Sequence, residues 1–299
     1  MEKNRIIGRK RRSREDWIMD GTIYVVSILI LFMMLYPFYY VFMLSFNEGV
    51  DASLGGIYWF PRKFTLSNYA RFFNDLKWLR ALLVSFLRTL IGTVLGVAFT
   101  TLVAYALSFK DLVGRKAYMT FVIVCMYFSG GIIPYYTLLR GLHLIDSFAV
   151  YVIPGMLNLF YITIGRTFFE DIPGSLRESA KIDGAGEFKI FAKIIVPISK
   201  PFMATLALFI GVGHWNNWYD STFFIKTKTL RTLPYLMMEI VNQFQTTSDV
   251  NAAAHQVSGT TSLSIQLAAM VVSVVPIIFI YPFLQKYFVS GMMVGAVKE

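Results

Sequence analysis

The chain has 299 residues, of which 56% are hydrophobic and only 15% charged, and its formal net charge is +10. Soluble domains average about 45–50% apolar and about 25% charged residues, so an ordinary water-soluble domain is excluded. The basic residues mostly flank apolar segments, which fits anchoring in membrane lipid and no nucleic-acid partner, and a single cysteine, Cys125, excludes an internal disulfide framework.

A membrane-spanning helix needs about 20 mostly apolar residues, and six stretches qualify. Residues 1–21 form a basic N-terminus containing "RKRRSR", Arg9 to Arg14. The first span follows, from Thr22 to Phe46; its length and the lack of an A-x-A-like site after it predict an uncleaved helix. A long loop, Asn47 to Ala81, leads to the second span, Leu82 to Phe109. This span carries Arg88, the clearest candidate for a functional polar residue at membrane depth or, alternatively, a side chain that snorkels outward. It also carries "GTVLG", which places Gly92 and Gly96 on one helical face for close contact, within this chain or with a second subunit. The third span, Ala117 to Leu139, should be disturbed by "SGGIIP", Ser129 to Pro134, marking either the path or a helix end. The fourth runs from Ser147 to Thr167, with Arg166 expected at the inner interface. A polar stretch of about residues 168–200 separates it from the fifth span, Pro201 to Ile225. After a second long loop, Lys226 to Thr261, comes the sixth span, Ser262 to Phe288, and a tail, 289–299.

With the N-terminus in the cytoplasm, the cytoplasmic segments hold twice as many Lys and Arg as the outer ones. The positive-inside rule therefore agrees with an all-α integral membrane domain of six transmembrane helices over 22–288, with N- and C-termini cytoplasmic.

The polar stretch contains "RESAKIDGAGEFKIFAKIIVP", Arg177 to Pro197. Pro173 and Ser175 can begin a helix, with Ser175 and Glu178 at capping-box spacing. That helix should stop near Asp183-Gly184, since glycine takes the left-handed conformation that ends helices, and Gly186 keeps the turn small. Phe188, Phe191, Ala192 and Ile195 then form an apolar stripe on a second helix, with Lys189 and Lys193 on the wet side and Pro197 and Pro201 ending it. Physically, such a hairpin could lie at the lipid interface or dock on a cytoplasmic partner.

The order "ESAKIDGAG" then "FAKIIVPISKP" resembles the EAA loop of ABC importer permeases, matched by Glu178, Ser179, Ala180, Asp183, Gly184, Ala185 and Gly186, with Ser179 in place of the commoner alanine. The segments "FTLSNYARFF" at Phe64, "AYALSFKDLVGRK" at Ala104, "GHWNNWYD" at Gly213 and "QKYFVSGMMVGAVKE" at Gln285 are similar to the carbohydrate-type branch, so the resemblance covers nearly the whole chain. It implies a type I importer permease of the bacterial plasma (inner) membrane. It further implies an ATPase-coupling role for the hairpin residues, separate ABC ATPase subunits, a second and different permease subunit, and an extracytoplasmic solute-binding protein that delivers a sugar.

The chain has no G-x-x-x-x-G-K-[ST] phosphate loop, so it is not expected to hydrolyse ATP or hold a cofactor; ATP would be bound by the partner subunits. His143, His214 and His255 show no ligand spacing, and no metal site is expected. In "HWNNWYD", Trp215, Asn216 and Asn217 are the candidate substrate path, while Trp218 and Tyr219 read as an aromatic belt. A self-contained secondary carrier would call for ionisable residues at depth and inverted repeats. An intramembrane enzyme would need a nucleophile–base pair or H-E-x-x-H. The spans hold few acids, and neither the repeats nor these enzyme motifs are found in the sequence.

Overall fold

A computed structural model describes residues 13–246 and 261–296, and these are helical apart from turns, loops and one isolated bridge between Asn47 and Phe64. Helix α1, Arg14–Ser45, begins ahead of its apolar core because Ser13 and Asp16 form a capping box, with the Ser13 N–H donating to the Asp16 carboxylate at 2.7 Å. Only its far end is buried in this chain, at Leu44 and Ser45. The loop that follows holds two short helices, α2 (Gly49–Ser53) and α3 (Ser67–Asn74). Asn68 is fully buried there, and its amide donates to the carbonyls of Ser45 (2.9 Å) and Asn47 (2.8 Å). The segment "FTLSNYARFF" thus clamps the chain as it leaves α1.

Helix α4, Leu76–Ser108, is capped by Asp75 and contains the predicted second span up to its last residue, Phe109, which is the C-cap. The third span is two helices, α5 (Arg115–Tyr127) and α6 (Ile132–Gly141), bent by 117° at the glycine pair, where Gly131 has φ +83°. "SGGIIP" therefore breaks the helix, as its composition predicts.

The fourth stretch departs from expectation. Instead of one helix over Ser147 to Thr167, there is a 3₁₀ turn, Phe148–Tyr151, an irregular passage through Pro154 and Gly155, and α7, Leu159–Glu170. The restart is local chemistry: the Asn158 side chain accepts the Tyr161 N–H at 3.2 Å as an N-cap. The polar stretch forms α8 (Gly174–Ile182), α9 (Glu187–Ile190), a π-helical turn (Phe191–Ile195) and α10 (Val196–Ile198). At Ser199 the chain bends by 83° into α11, Lys200–Asn216. The fifth stretch is also discontinuous, since α11 ends at Asn216 and α12, Tyr219–Phe224, follows. A 3₁₀ turn (Lys228–Leu230) and α13 (Leu233–Thr246) lead out of it, and α14, Ser262–Ala296, closes the chain. The rest of the second long loop, most of the basic N-terminus and the end of the tail lie outside the described residues.

Among the described residues, α1, α4 and Leu263–Ile280 of α14 are long and apolar enough to cross a membrane, and the two bent pairs raise the number to five. Helix α4 is the axis, packed on α7 and α11, while α14 lies against α11 and α1. The "GTVLG" glycines serve contact within this chain. A Cβ on Gly92 would lie 2.6 Å from Nε2 of His214, and one on Gly96 would lie 3.2 Å from Cγ2 of Ile210, so α11 sits where side chains would stand.

Candidate functional site

Two features stand out, one at the C-terminal end of α4 and one beside Arg88 near its middle. The first is the hairpin. Its first helix starts after Pro173, so Ser175 lies inside the helix and the Ser175–Glu178 capping box does not form. The helix stops where the sequence predicts. The Ala185 N–H donates to the Ala180 carbonyl (2.9 Å) and the Gly184 N–H to that of Lys181 (3.0 Å), with Gly184 at φ +77°. This pair of bonds is a Schellman cap. Glu178, Ser179, Asp183, Gly184 and Gly186 are exposed, Ala185 is half-buried, and Ala180 is buried against the body.

The structure corrects the apolar stripe. The face packed on Tyr105 and Phe169 is made by Ile190, Phe191, Ile194 and Ile195, while Phe188 and Ala192 face out. Ile182 (86% exposed) and Phe188 (76% exposed) then flank the glycine turn as apolar groups open to solvent. Glu187 ties the turn together, meeting Lys181 at 2.6 Å and Arg177 at 3.1 Å. Burial would push its carboxyl up, but the hydrogen bonds from Lys181 and Arg177 outweigh it and hold the group below the usual carboxylate range.

The second feature is a polar cavity of about 320 Å³ between α4, α6, α7, α11 and α12. Arg88, Asn158, His214, Asn217 and Asp220 supply its polar groups, and Tyr135, Tyr151 and Tyr161 supply aromatic faces. Arg88 does not snorkel. It is 1% exposed, pairs with the Asp220 carboxylate, donates to the Asn217 carbonyl at 2.9 Å and stands 4.7 Å from the Tyr151 ring centroid. A charge at this depth is tolerable because its partner stands beside it. The Tyr151 hydroxyl is in turn held by the Leu230 carbonyl at 2.7 Å. Hydrogen-bonding groups interleaved with ring faces suit a polyhydroxylated solute. Arg166, expected at the inner interface, pairs with Glu170 at 2.9 Å, and Arg115 joins the same carboxylate.

The structure separates the three path residues read from the sequence. Asn217 lines the polar cavity, and its side chain accepts the Asp220 N–H at 3.2 Å. Asn216 is exposed. Trp215 is 7% exposed and points the other way, donating its indole N–H to the Ser273 carbonyl of α14 at 2.9 Å beside a separate, apolar cavity. Sequence reasoning missed Asn158, Tyr151 and Tyr161, and missed that Asp220, a hydrogen-bonding candidate of "HWNNWYD", meets Arg88 in one cavity. The available signal was one acid and one base at depth in different spans, which predicts that they meet. Among the described residues no group of His, Cys, Asp and Glu could hold a metal.

No family model matches the chain. Protein LplC of Bacillus subtilis is 36% identical, over 88% of each chain. The polygalacturonan/rhamnogalacturonan transport system permease protein YtcP of the same organism is 33% identical, over 94% of this chain and 98% of its own. Among solved structures, a chain of a bacterial ABC transporter involved in import of the acidic polysaccharide alginate superposes with a TM-score of 0.82 at 27% identity, covering 93% of this chain and 99% of that one.

Proposed function

This chain belongs to the carbohydrate ABC importer permeases, multi-pass proteins of the inner membrane, and from that premise we propose how it works. It is the permease subunit of a binding-protein-dependent importer for a sugar or oligosaccharide. Residues 22–288 span the membrane six times, with the broken segments 117–139 and 147–170 each counted as one crossing, and residues 1–21 and 289–299 lie in the cytoplasm. The hairpin of about 168–200 faces the same side. It docks on separate ATPase subunits, which bind and hydrolyse ATP. A second, different permease completes the pore, and a solute-binding protein delivers the sugar from outside. The polar cavity around Asn217 and Asp220 is this chain's share of the substrate path.

The observation that carries this reading is the hairpin tip: a Schellman-capped turn at Gly184 with Ile182 and Phe188 bare on either side. Two large apolar side chains held out on a rigid turn fit insertion into a protein cleft. Closure of the ATPase subunits on ATP then biases the spans between inward-open and outward-open states, a differential-binding mechanism.

Gly184→Asp tests it. A side chain at φ +77° is strained by about 1 kcal/mol or more, and its charge meets the docked partner. The complex should insert normally, yet sugar uptake and sugar-stimulated ATP hydrolysis in reconstituted vesicles should fall at least about tenfold. A Gly184→Asp complex that is recovered and transports at the wild-type rate would show that the hairpin is not the lever.

A further inference from the structure

No stretch of chain joins the hairpin to α4. Its two chain connections run to α7, through Asp171 to Pro173, and to α11, through the 83° bend at Ser199. Yet α4 carries Arg88, its one residue in the lining of the cavity. Motion of the hairpin can reach it only across a packed contact.

That contact centres on Arg177 of α8. Its guanidinium carbon lies 3.6 Å from the ring centroid of Phe109, the C-cap residue of α4. Its NH2 donates to Glu187 at 3.1 Å, at the start of α9. One planar group therefore touches both arms of the hairpin and the end of α4. Beneath it, Phe109 packs on Tyr105 at 4.8 Å, and Tyr105 packs on Phe191 of the π turn at 5.0 Å and Phe169 of α7 at 5.8 Å.

We propose that Arg177 is the positioning residue that locks the hairpin to α4, so that the hairpin and the adjoining ends of α4 and α7 move as one body; the proposal rests on the hairpin being the ATPase-docking element and adds how its motion reaches the cavity. The chemistry calls for arginine specifically. Lys181 already meets Glu187 at 2.6 Å, so a positive charge at that carboxylate is duplicated. The flat face over Phe109 is not, and lysine cannot reproduce a stacked, forked contact.

The test compares Arg177→Lys, Phe109→Leu and Phe109→Tyr in the complete complex in lipid vesicles. The readouts are sugar imported per ATP hydrolysed and the ATPase subunit recovered with the complex. Arg177→Lys and Phe109→Leu should each lower the import ratio roughly fivefold or more, with ATPase recovery at the wild-type level, while Phe109→Tyr, which keeps the ring, should retain the wild-type ratio. A wild-type ratio in Arg177→Lys overturns the proposal. Loss of the ATPase subunit from that variant also overturns it, because Arg177 would then act in docking rather than transmission. If Arg177→Lys is not recovered from membranes, the Phe109 pair decides, and equal ratios for Leu and Tyr sink the idea. Gly184→Asp, run alongside, keeps the two readings apart: if it loses uptake and sugar-stimulated ATP hydrolysis while Arg177→Lys keeps the wild-type ratio, the lever stands and only this joint falls.

Discussion

The C-terminal end of α4 and its middle stretch around Arg88 are held by opposite chemistry. Near residue 105 the helix is set in rings, Tyr105 and Phe109 against Phe169 and Phe191, with charge confined to the rim. Near residue 88, about 25 Å away at 1.5 Å per residue, it is held by an ion pair to Asp220 and one hydrogen bond to the Asn217 backbone, beside an open cavity. Apolar packing is non-directional and resists being pulled apart everywhere at once. An ion pair at depth has two discrete arrangements, joined or separated, and separation is costly unless other groups take over. The first is therefore suited to carrying motion rigidly, and the second to opening around a polar solute.

The largest expected effect comes at the cavity stretch. Asp220→Ala leaves Arg88 buried without its counter-charge and should cost about 3–5 kcal/mol, read as collapse of the detergent-solubilised complex on size-exclusion chromatography. Adding Arg88→Met should restore most of the recovered complex without restoring transport. If Asp220→Ala alone is recovered at the wild-type level, the pair is not what holds this stretch, and the contrast between the two disappears.

A middle-sized effect is expected midway along α4. Gly92→Ala puts a Cβ within 2.6 Å of Nε2 of His214, an overpacking cost of about 1–3 kcal/mol. Gly96→Ala, facing Ile210 at 3.2 Å, should cost less. Thermal unfolding of the purified complex measures both, and His214→Ala in the same chain should recover part of the Gly92→Ala loss but none of the Gly96→Ala loss. Equal losses for the two glycines would mean that α11 packs against α4 differently.

The smallest effect sharpens what counts as the cavity stretch. Trp215→Phe removes the indole hydrogen bond to Ser273, worth about 1 kcal/mol of stability, and should leave the KM for import unchanged. Asn217→Ala should raise that KM at little cost to stability. A KM change in Trp215→Phe would return the indole to the path from which its orientation removes it.

Which features could be read in the sequence follows from the range over which each is determined. The helices α1, α4 and α14 were legible because crossing a bilayer depends on the hydropathy of one local window. The end of α8 was legible because Gly184 does locally what a helix end requires. The break in the third span was announced by two glycines and a proline. The fourth stretch misled because its apolar content is high throughout, while its conformation is decided by Asn158 capping a new helix. The hairpin stripe was displaced because two apolar faces are available at helical spacing, and packing on Tyr105 and Phe169 selects the one with Ile190, Ile194 and Ile195. The sequence leaves Arg88 between a functional role at depth and snorkelling because its partner lies in a different span, and such a pairing is set by packing rather than spacing. Trp215 was assigned to the path by composition, but the side it faces is fixed by the rotation of α11 against α14.

The glycines of α4 also bear on speed. Two helices that interlock through long side chains can tilt only by lifting each tooth out of its groove, one rotamer barrier after another. On the α4 side of its seam with α11, Gly92 and Gly96 offer only backbone to His214 and Ile210, and the teeth beside them are short, Thr93 against Gly211 and Val97 clustered with Ile210. Glycine has no rotamers to reset, so a small tilt there meets little friction. The seam works as a plain bearing between two stiffer attachments, and the rate of switching should be governed by those attachments rather than by the surface on which the helices turn.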